Sequence, residues 1–464
     1  MTASATTEKM STNTIIKWVI AFIIPIILLL LPPGEILTKE IYIFLAITLF
    51  AILLIAFELT ESLVVGIILF TGYYVSGIAP AATVFAPWAS TAVWVTIAVL
   101  FMATMLDECG VLRRIAVVSI LKIGCSYKRT LWGLWFAALV IGFLTSSQAQ
   151  YIMPPFCLGV CKALNIKKGR ETFGIFMAGG IGAMGAMDIV YNPVLASVME
   201  QACQMVDPSI TITYVSFLAH NWPMIGFSFI SMFLLQFMYK SEKGFDSSEY
   251  FERELEKMGE MRASEKKALI LVVVLIGYAC VAAFTGLPSA NGFMIIPWLA
   301  FLPGMNIVKT DAIRKVNYSI AIFVAACLSI GSVGGYLNIG TLLADSVAPY
   351  IAGASTNVAL LGVYLTALVT NFLLTPLAVL AALAAPISTI VGTLGISPLT
   401  TNYLMLANLN QAILPYENAG WLLFYSFGFI KIKDFVKFMS LRMVIHLIYC
   451  FIILLPYWRI IGIL

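Results

Sequence analysis

Long, continuous apolar runs recur from Ile15 to the end of the chain, and they constrain its fold more than any other feature of the sequence. The runs Val19–Leu31 and Leu269–Ala283 contain no charged residue. A hydrocarbon core of roughly 30 Å is crossed by about 20 apolar residues in a helix. A barrel strand would instead alternate polar and apolar side chains. The pattern therefore predicts an all-α polytopic membrane protein.

Composition indicates the same class. Of the 464 residues, 61% are hydrophobic and 11% are charged, whereas about half of a soluble globular chain is apolar. The formal charge of +4 comes largely from Lys and Arg beside the apolar runs, so we expect a lipid bilayer around the chain and no nucleic-acid partner. The eight cysteines include one close pair, Cys157 and Cys161, which we interpret as packing residues rather than a metal or disulfide site.

Basic residues gather in a few clusters, which the positive-inside rule places in the cytoplasm. Counting crossings consistently with these sides predicts about eleven membrane spans, with the N-terminus cytoplasmic and the C-terminus extracytoplasmic in a plasma (inner) membrane. The clusters are Arg113–Arg129, Lys162–Arg170, Lys240–Lys267, Lys309–Lys315 and Lys431–Arg442. The predicted spans begin near Ile15, Ile41, Ser62, Ala92, Thr172, Thr211, Ala268, Gly292, Tyr318, Thr401 and Val436.

The segment 130–162 runs between two of these clusters and is too short for two crossings. It holds about 32 residues, whereas two crossings need about 40 and a turn. We therefore expect a re-entrant hairpin with a polar tip at Thr145–Gln150. Pro154 and Pro155 would lie in the first turn of its returning arm. Polar backbone at membrane depth is tolerated only where protein or a water-filled cavity receives it.

A second hairpin is predicted over 357–392. The surrounding residues 317–429 contain no Lys or Arg, so this region holds the outward loops, and the hairpin enters from outside. Two apolar arms flank the tip Thr370–Pro376, and Pro376 suits the first turn of the returning arm. Oppositely entering hairpins are typical of inverted repeats, whose substrate site lies near the membrane midplane.

These features predict three parts of the chain. An N-terminal repeat covers 1–240 and a C-terminal repeat covers 268–464. Between them, 241–267 is charged and helix-prone and lacks a broad apolar face, so we interpret it as a solvated cytoplasmic linker.

After its hairpin, each repeat also contains a helix that glycine and proline residues interrupt. Four glycines and then Asn192-Pro193 interrupt the first, and Pro415 and Gly420 interrupt the second. Amides freed at a half-helix N-terminus favour anions, and freed carbonyls coordinate cations. The alternative interpretation of the glycines is close helix packing. The predicted coupling-ion positions, for sodium on backbone carbonyls or for protons, are Gly182, Gly185, Asp188, Ala412, Pro415, Glu417 and Gly420.

The sequence lacks the motifs of an enzyme or an ATP-driven pump. His220 and His446 are its only histidines and lie far apart, and no metal-ligand spacing or Ser/His/Asp arrangement can be assembled from them. No Gly-x-x-x-x-Gly-Lys-Ser/Thr sequence occurs. We therefore predict a protein that is not an enzyme, has no cofactor and draws its energy from ion gradients.

Four segments resemble the divalent anion/sodium symporter (DASS) family, within the wider ion-transporter superfamily. They are Leu59–Leu63, Thr91–Ala116, Gly179–Asn192 and Glu417–Lys437. The last is similar to the family's Pro-Pro-Asn-Ala, Gly-x-Gly and Lys-x-x-Asp elements. The resemblance spans nearly the whole chain. It implies a homodimer of eleven-helix subunits that moves its substrate by an elevator motion of the hairpin-bearing domain.

Members of that family carry Ser-Asn-Thr at each hairpin tip, where the substrate and sodium bind. Here the first tip reads Thr145-Ser146-Ser147, which keeps hydroxyls and lacks the Asn. The second falls on Leu374-Thr375-Pro376 or on Pro376-Leu377-Ala378. The resemblance therefore implies a shared fold with altered tips.

Together these features predict a secondary active transporter of a small anion, either a di- or tricarboxylate or an inorganic oxyanion such as sulfate, working by cation-coupled symport or exchange. Two alternatives remain. One is a cation/proton antiporter of the same superfamily with Asp188 and Glu417 as carriers, and the other is a transport-inactive membrane scaffold. The predicted substrate-binding residues are Thr145, Ser146, Ser147, Gln148, Asn192, Thr370, Asn371, Thr375 and Asn418.

Overall fold

The computed structural model describes residues 12–34, 37–57, 59–89, 91–146, 148–241, 246–285, 287–339, 342, 354–372 and 376–464. The regular structure of these residues is helical, and none of them forms a β-strand. The prediction of an all-α membrane protein is therefore confirmed. Ser147 and Thr375, two of the predicted tip residues, lie outside the described residues.

Among the described residues, seven helices precede the first hairpin. The apolar side chains of the first are widely exposed, up to 78% at Leu30, as expected of a helix that faces lipid. The sixth and seventh meet at a bend of 63°, where Gly110 has the positive φ of +86° that favours glycine. The helices are α1 (Thr12–Leu30), α2 (Lys39–Ala56), α3 (Ser62–Ser76), α4 (Ala81–Val84), α5 (Ala86–Ala89), α6 (Thr91–Glu108) and α7 (Val111–Ile123).

The first predicted hairpin, hereafter hairpin 1, consists of α8 (Tyr127–Leu144) and α9 (Ala149–Ala163). The turn residues Thr145, Ser146 and Gln148 lie where the sequence predicts the tip. The expectation that Pro154 and Pro155 start the returning arm is wrong, because α9 begins at Ala149 and includes both prolines. Ser146 already reverses the chain with a φ of +48°. A buried membrane helix tolerates an internal proline where its surroundings satisfy the freed backbone groups.

The glycine-rich helix α10 (Arg170–Ile189) is not broken by its glycines. The interruption comes later, at 190–192, hereafter break 1, and α11 (Pro193–Gln204) follows it. The carbonyls of Gly182 and Gly185 therefore stay within the helix, and the prediction that a break frees them for an ion is wrong. The glycines permit close packing instead, because a Cβ at Gly182 would lie 2.4 Å from the carbonyl oxygen of Trp135.

The segment between the two halves is docked rather than solvated. After α12 (Tyr214–Asn221) and α13 (Met224–Met238), helix α14 (Ser248–Met258) packs on α7. Phe251 is fully buried and its ring stacks 6.4 Å from that of Phe156 in hairpin 1. At the C-terminal end of α14, Arg114 donates hydrogen bonds to the carbonyls of Met258 and Gly259 at 3.2 and 2.9 Å. The prediction of a solvated linker is therefore wrong for this helix, whose apolar face was too narrow to recognise.

Glu254 stabilises the docked position of α14 through ionic hydrogen bonds, so the stability of this docking should depend on pH. Its carboxylate accepts hydrogen bonds from Lys257, at 3.0 Å, and from Arg113. The bond from Lys257 lowers the pKa of Glu254 below its ordinary 4.5; burial opposes this, and the charge of Arg113 adds to it. A carboxyl whose folded-state pKa is lowered stabilises the docked state above its ordinary pKa and loses that effect as the pH falls through the lowered value.

We therefore expect amide hydrogen exchange in α14, corrected for the intrinsic rate, to accelerate as the pH falls below 4.5. Glu254→Gln should remove this acceleration. Glu249→Gln, at an exposed position of the same helix, is the matched control and should leave it unchanged. Identical profiles for Glu254→Gln and the unmodified protein would contradict the assignment.

The second half repeats the order of the first, with a hairpin followed by an interrupted helix. Hairpin 2 consists of α18 (Thr356–Asn371) and α19 (Pro376–Thr393), and Pro376 is the first described residue of its returning arm. The interruption, break 2, covers 410–418 and overlaps the predicted region. The helices are α15 (Ala263–Thr285), α16 (Ser289–Ile295), α17 (Tyr318–Tyr336), α18 (Thr356–Asn371), α19 (Pro376–Thr393), α20 (Pro398–Leu409), α21 (Ala419–Ser426), α22 (Ile432–Tyr449) and α23 (Leu455–Ile460). Short 3-10 helices lie at Ile296–Phe301, Thr310–Lys315 and Pro415–Glu417, and a π-helical turn at Cys450–Leu454 joins α22 to α23.

Among the described residues, four helical stretches are long and apolar enough to cross a membrane, and six if each of two bent pairs counts as one span. The four are Arg170–Gln204, Tyr318–Tyr336, Pro376–Thr393 and Ile432–Ile460. The bent pairs are α6 with α7 and α12 with α13. The multi-pass architecture follows from these stretches, while the number eleven stays a prediction.

The buried apolar side chains form two main clusters. The larger joins both hairpins, α10, α20, α21 and α22 in one continuous core. A smaller one joins α2 and α3 with one face of α17. The polar residues considered next lie inside the larger cluster.

Candidate functional site

Break 1 and break 2 meet inside the core through a side-chain hydrogen bond. Asp188, in the last turn of α10, accepts a bond of 2.7 Å from Nδ2 of Asn410 at the C-terminal end of α20. Asp188 is 4% exposed and Asn410 is fully buried. A buried carboxylate is costly unless it is compensated, so residues around it are candidates for function.

Arg442 supplies the compensating positive charge. It lies on α22, is 1% exposed, and donates from Nη1 to the side-chain oxygen of Gln411 and from Nε to Ser231 at 2.9 Å. Its guanidinium also rests 4.7 Å above the ring of Phe227. Within the described part of the chain, Nη2 of Arg442 and Oδ2 of Asp188 have no hydrogen-bond partner. A free guanidinium nitrogen and a free carboxylate oxygen are thus buried in the same polar group of residues.

The position of Arg442 corrects its interpretation as a cytoplasmic residue. It closes the predicted basic cluster Lys431–Arg442, yet it lies three turns into α22 and is enclosed by protein. An arginine can occupy such a place because hydrogen bonds and a nearby carboxylate offset the loss of hydration. The positive-inside count included it because a lone charge is assigned by sequence position, not by burial.

Hairpin 2 contributes Asn371 to this group. Its Nδ2 donates to the backbone carbonyl of Gln411 at 3.3 Å and to the carboxylate of Glu417 at 3.4 Å. The neighbouring Thr370 instead donates to the carbonyl of Thr366 on its own helix at 2.7 Å. The structure therefore brings Asn371 to the site, whereas the hydroxyl of Thr370 is engaged within α18.

Glu417 organises the backbone of break 2. It is 1% exposed and accepts hydrogen bonds from the amides of Leu414, at 2.6 Å, and of Ile413. Pro415 begins the short helix that carries it, and Ala412 is fully buried beside it. The carboxylate thus satisfies amides that the break would leave unpaired.

The two predicted asparagines cap half-helices. Oδ1 of Asn192 accepts from the amide of Val194 at 3.0 Å at the start of α11. Oδ1 of Asn418 accepts from the amide of Gly420 at 2.8 Å at the start of α21. Both residues therefore fix helix N-termini, the ends that favour anions.

The tip of hairpin 1 is closed by its own hydrogen bonds. Thr145 donates to the carbonyl of Ile141 at 2.6 Å and accepts from the amide of Gln148 at 3.2 Å. Beyond the tip, Gln150 packs directly on Gly420, where a Cβ would lie 2.4 Å from its Oε1. Hairpin 1 therefore reaches the site through Gln150 and α21, while Thr145 and Ser146 shape the turn.

Four residues of this site are not among those predicted from sequence: Gln150, Asn410, Gln411 and Arg442. Arg442 carries a signal that could have identified it, since it is a lone charge within an apolar stretch. Gln150 belongs to the predicted polar tip Thr145–Gln150, but nothing local distinguishes Asn410 and Gln411 from other polar residues near a break.

The chemistry of the site follows from its donors and acceptors. The guanidinium of Arg442 offers a fixed positive charge and a free donor to an anion. The unpartnered oxygens of Asp188, Asn371 and Asn410 are hard ligands of the kind that sodium or a proton would use. No group of three His, Cys, Asp or Glu able to hold a metal ion occurs among the residues that the structure describes. The arrangement therefore places unpartnered acceptors and one unpartnered donor beside two broken helices.

The fold is similar to those of two solved transporters. The YdaH transporter of Alcanivorax borkumensis aligns with a TM-score of 0.54 at 16% identity, over 82% of this chain and 86% of that one. MtrF of Neisseria gonorrhoeae, described as one of a class of antimetabolite efflux pumps, aligns with a TM-score of 0.50 at 16% identity, over 94% and 92% of the two chains. These likenesses concern the fold alone.

At the level of sequence, no curated protein matches the chain. The DASS assignment itself is not confirmed, although the ion-transporter superfamily is the right one. A family model described as CitMHS, citrate transporter, matches residues 52–409, which is most of the chain, and the protein therefore belongs to this family of membrane transporters.

Proposed function

We propose that the protein is a secondary active carrier of a citrate-like di- or tricarboxylate, coupled to sodium ions or protons. The observation that carries the proposal is the buried guanidinium of Arg442, whose Nη2 has no hydrogen-bond partner in the described part of the chain. The two helix N-termini capped by Asn192 and Asn418 favour the same kind of ligand. The description of the family as citrate transporters points to the carboxylate class.

Coupling is assigned to Asp188 rather than to Glu417. Asp188 keeps Oδ2 free beside Asn410, so a proton or a sodium ion can be added there without breaking an existing bond. Glu417 already accepts bonds from two backbone amides and from Asn371, so it serves the backbone of break 2. Binding of a cation at Asp188 would offset the negative charge of that carboxylate near Arg442 and so favour the substrate anion, which links the two binding events.

The two apolar clusters support an elevator motion. The larger holds both hairpins and both breaks, whereas the smaller is built on α2 and α3. Between them lies a cavity of about 290 Å³, with α17 on one side and α11 and α19 on the other, lined by small residues such as Gly331, Ala381 and Ala384. A unit that slides past a scaffold requires such a weakly interlocked boundary. A plasma-membrane homodimer with a cytoplasmic N-terminus belongs to the same proposal.

Uptake by proteoliposomes tests the proposal. Purified protein should accumulate radiolabelled citrate when a sodium or proton gradient is imposed, and protein-free liposomes should not. Sulfate uptake without citrate uptake would shift the cargo to an inorganic oxyanion. Sodium-driven proton efflux without any anion would favour the cation/proton antiporter instead.

Glu417→Gln refines the coupling assignment. Glutamine retains one acceptor oxygen for the amides, so we expect less folded protein, since an unsatisfied buried amide costs about 1–3 kcal/mol. The ion dependence of uptake per folded molecule should be unchanged. If uptake by this variant becomes insensitive to pH while that of the unmodified protein is not, Glu417 is the coupling residue.

A further inference from the structure

His446 is a fully buried polar residue to which neither the sequence nor the proposed mechanism gives a role. It lies on α22, one turn after Arg442. Its Nδ1 is hydrogen-bonded to the hydroxyl of Tyr364 at 2.7 Å, and its Nε2 is 3.5 Å from the sulfur of Cys450. Tyr364 belongs to α18, the first arm of hairpin 2. The pair is therefore a direct polar contact between hairpin 2 and the helix that carries Arg442.

Phe227 of α13 connects His446 to Arg442. The guanidinium rests 4.7 Å above its ring, and the imidazole meets the same ring edge-on at 4.7 Å. A cation over an aromatic face is held by the charge distribution of the ring. A displacement of His446 would therefore move the surface on which Arg442 rests.

A second residue of α18, Asn371, also contacts the polar residues around Arg442. Asn371 follows Tyr364 by two helical turns, so the two side chains share one face of α18. Asn371 bonds to the backbone of Gln411, whose side chain accepts from Arg442. The hydrogen bond of Asn371 lies at the tip of hairpin 2, and that of Tyr364 lies farther along α18. Together the two bonds fix both the position and the tilt of α18.

We infer that Tyr364 and His446 are positioning residues of the transport site: their hydrogen bond holds the first arm of hairpin 2 against α22 and thereby sets the place of the Arg442 guanidinium. The inference rests on the proposed function in one respect, since Arg442 is taken to bind the anion. Three groups contact the imidazole: Tyr364 from α18, Phe227 from α13 and Cys450 from its own helix.

The test separates positioning from simple structural support. Tyr364→Phe and His446→Leu should each raise the KM for citrate about tenfold and change Vmax less than about twofold, as expected when one buried hydrogen bond is lost. His446→Asn should keep the KM of the unmodified protein, because the asparagine oxygen can replace Nδ1 as the partner of Tyr364. A purely structural role would lower the amount of folded transporter and Vmax, leave KM unchanged, and make His446→Asn behave like His446→Leu.

Tyr73→Phe is the matched control. Tyr73 is also fully buried and shares a hydrogen bond of 2.6 Å with Thr48, but it belongs to the smaller apolar cluster. Its loss should leave KM unchanged. An equal rise of KM in Tyr73→Phe would overturn the inference, because the effect would then not depend on hairpin 2.

A second measurement does not depend on the substrate. Cysteine is introduced at Thr370 in a protein whose two less buried native cysteines, Cys125 and Cys280, are replaced by serine. Maleimide labelling in detergent should be about fivefold faster with Tyr364→Phe or His446→Leu, and unchanged with His446→Asn or Tyr73→Phe. Absence of citrate uptake by the unmodified protein would refute the proposed function, whereas unchanged labelling in Tyr364→Phe would refute this inference.

Discussion

Replacing Arg442 with glutamine is expected to lower citrate uptake by at least about a hundredfold. Glutamine retains a donor but loses the positive charge that attracts the anion. It also removes the positive charge that offsets the burial of the Asp188 carboxylate, which then keeps only the hydrogen bond from Asn410. Removing one partner of a buried charge pair costs about 3–5 kcal/mol. Initial rates in proteoliposomes, normalised to folded protein, measure the effect.

Two variants control for charge and for folding. Arg442→Lys keeps the charge but has a compact ammonium instead of the planar fork, so we expect partial activity. Arg253→Gln alters an exposed arginine of helix α14 and should transport normally. Citrate uptake with an unchanged KM in folded Arg442→Gln would remove Arg442 from the binding site and, with it, the main support for the proposed cargo.

Replacing Asp188 with asparagine is expected to abolish gradient-driven accumulation of citrate while leaving exchange of internal for external citrate. Asparagine can still accept the bond from Asn410, so the two breaks stay joined. It cannot take up a proton or supply a charged ligand to sodium, so the cation no longer links its gradient to the substrate. Accumulation and counterflow, measured on the same vesicles, separate coupling from binding.

Asp107→Asn is the matched control, since Asp107 is an exposed carboxylate at the end of α6. It should leave both accumulation and exchange intact. Undiminished accumulation by Asp188→Asn would exclude this residue as the coupling site. Loss of exchange together with accumulation would instead assign Asp188 to substrate binding.

The sequence predicted the class of the fold and the place of several turns because these depend on local properties. Apolar runs identify helices that suit a lipid environment, and polar or proline-containing interruptions identified break 2 and the turn that contains Thr145, Ser146 and Gln148. Glycines were less reliable as signals of a helix end where tight packing between helices explains them instead. Helix α10 continues through its glycines because Trp135 and Trp421 occupy the space that side chains would need.

The candidate site was only partly predictable, because its residues come from distant parts of the chain. Asp188 and Asn410 are 222 positions apart, and Arg442 and Ser231 are 211 positions apart. Asn192 and Asn418 were correctly located at the breaks, but only the structure assigns their oxygens to helix capping.

The sequence by itself determined that this chain is a bundle of apolar helices with polar interruptions, since the cost of exposing polar groups to lipid acts on each segment separately. Tertiary structure alone decided which polar side chains face one another. Burial of Arg442 and Asp188 in one core depends on hydrogen bonds between helices, and those partners can be chosen only when the helices pack.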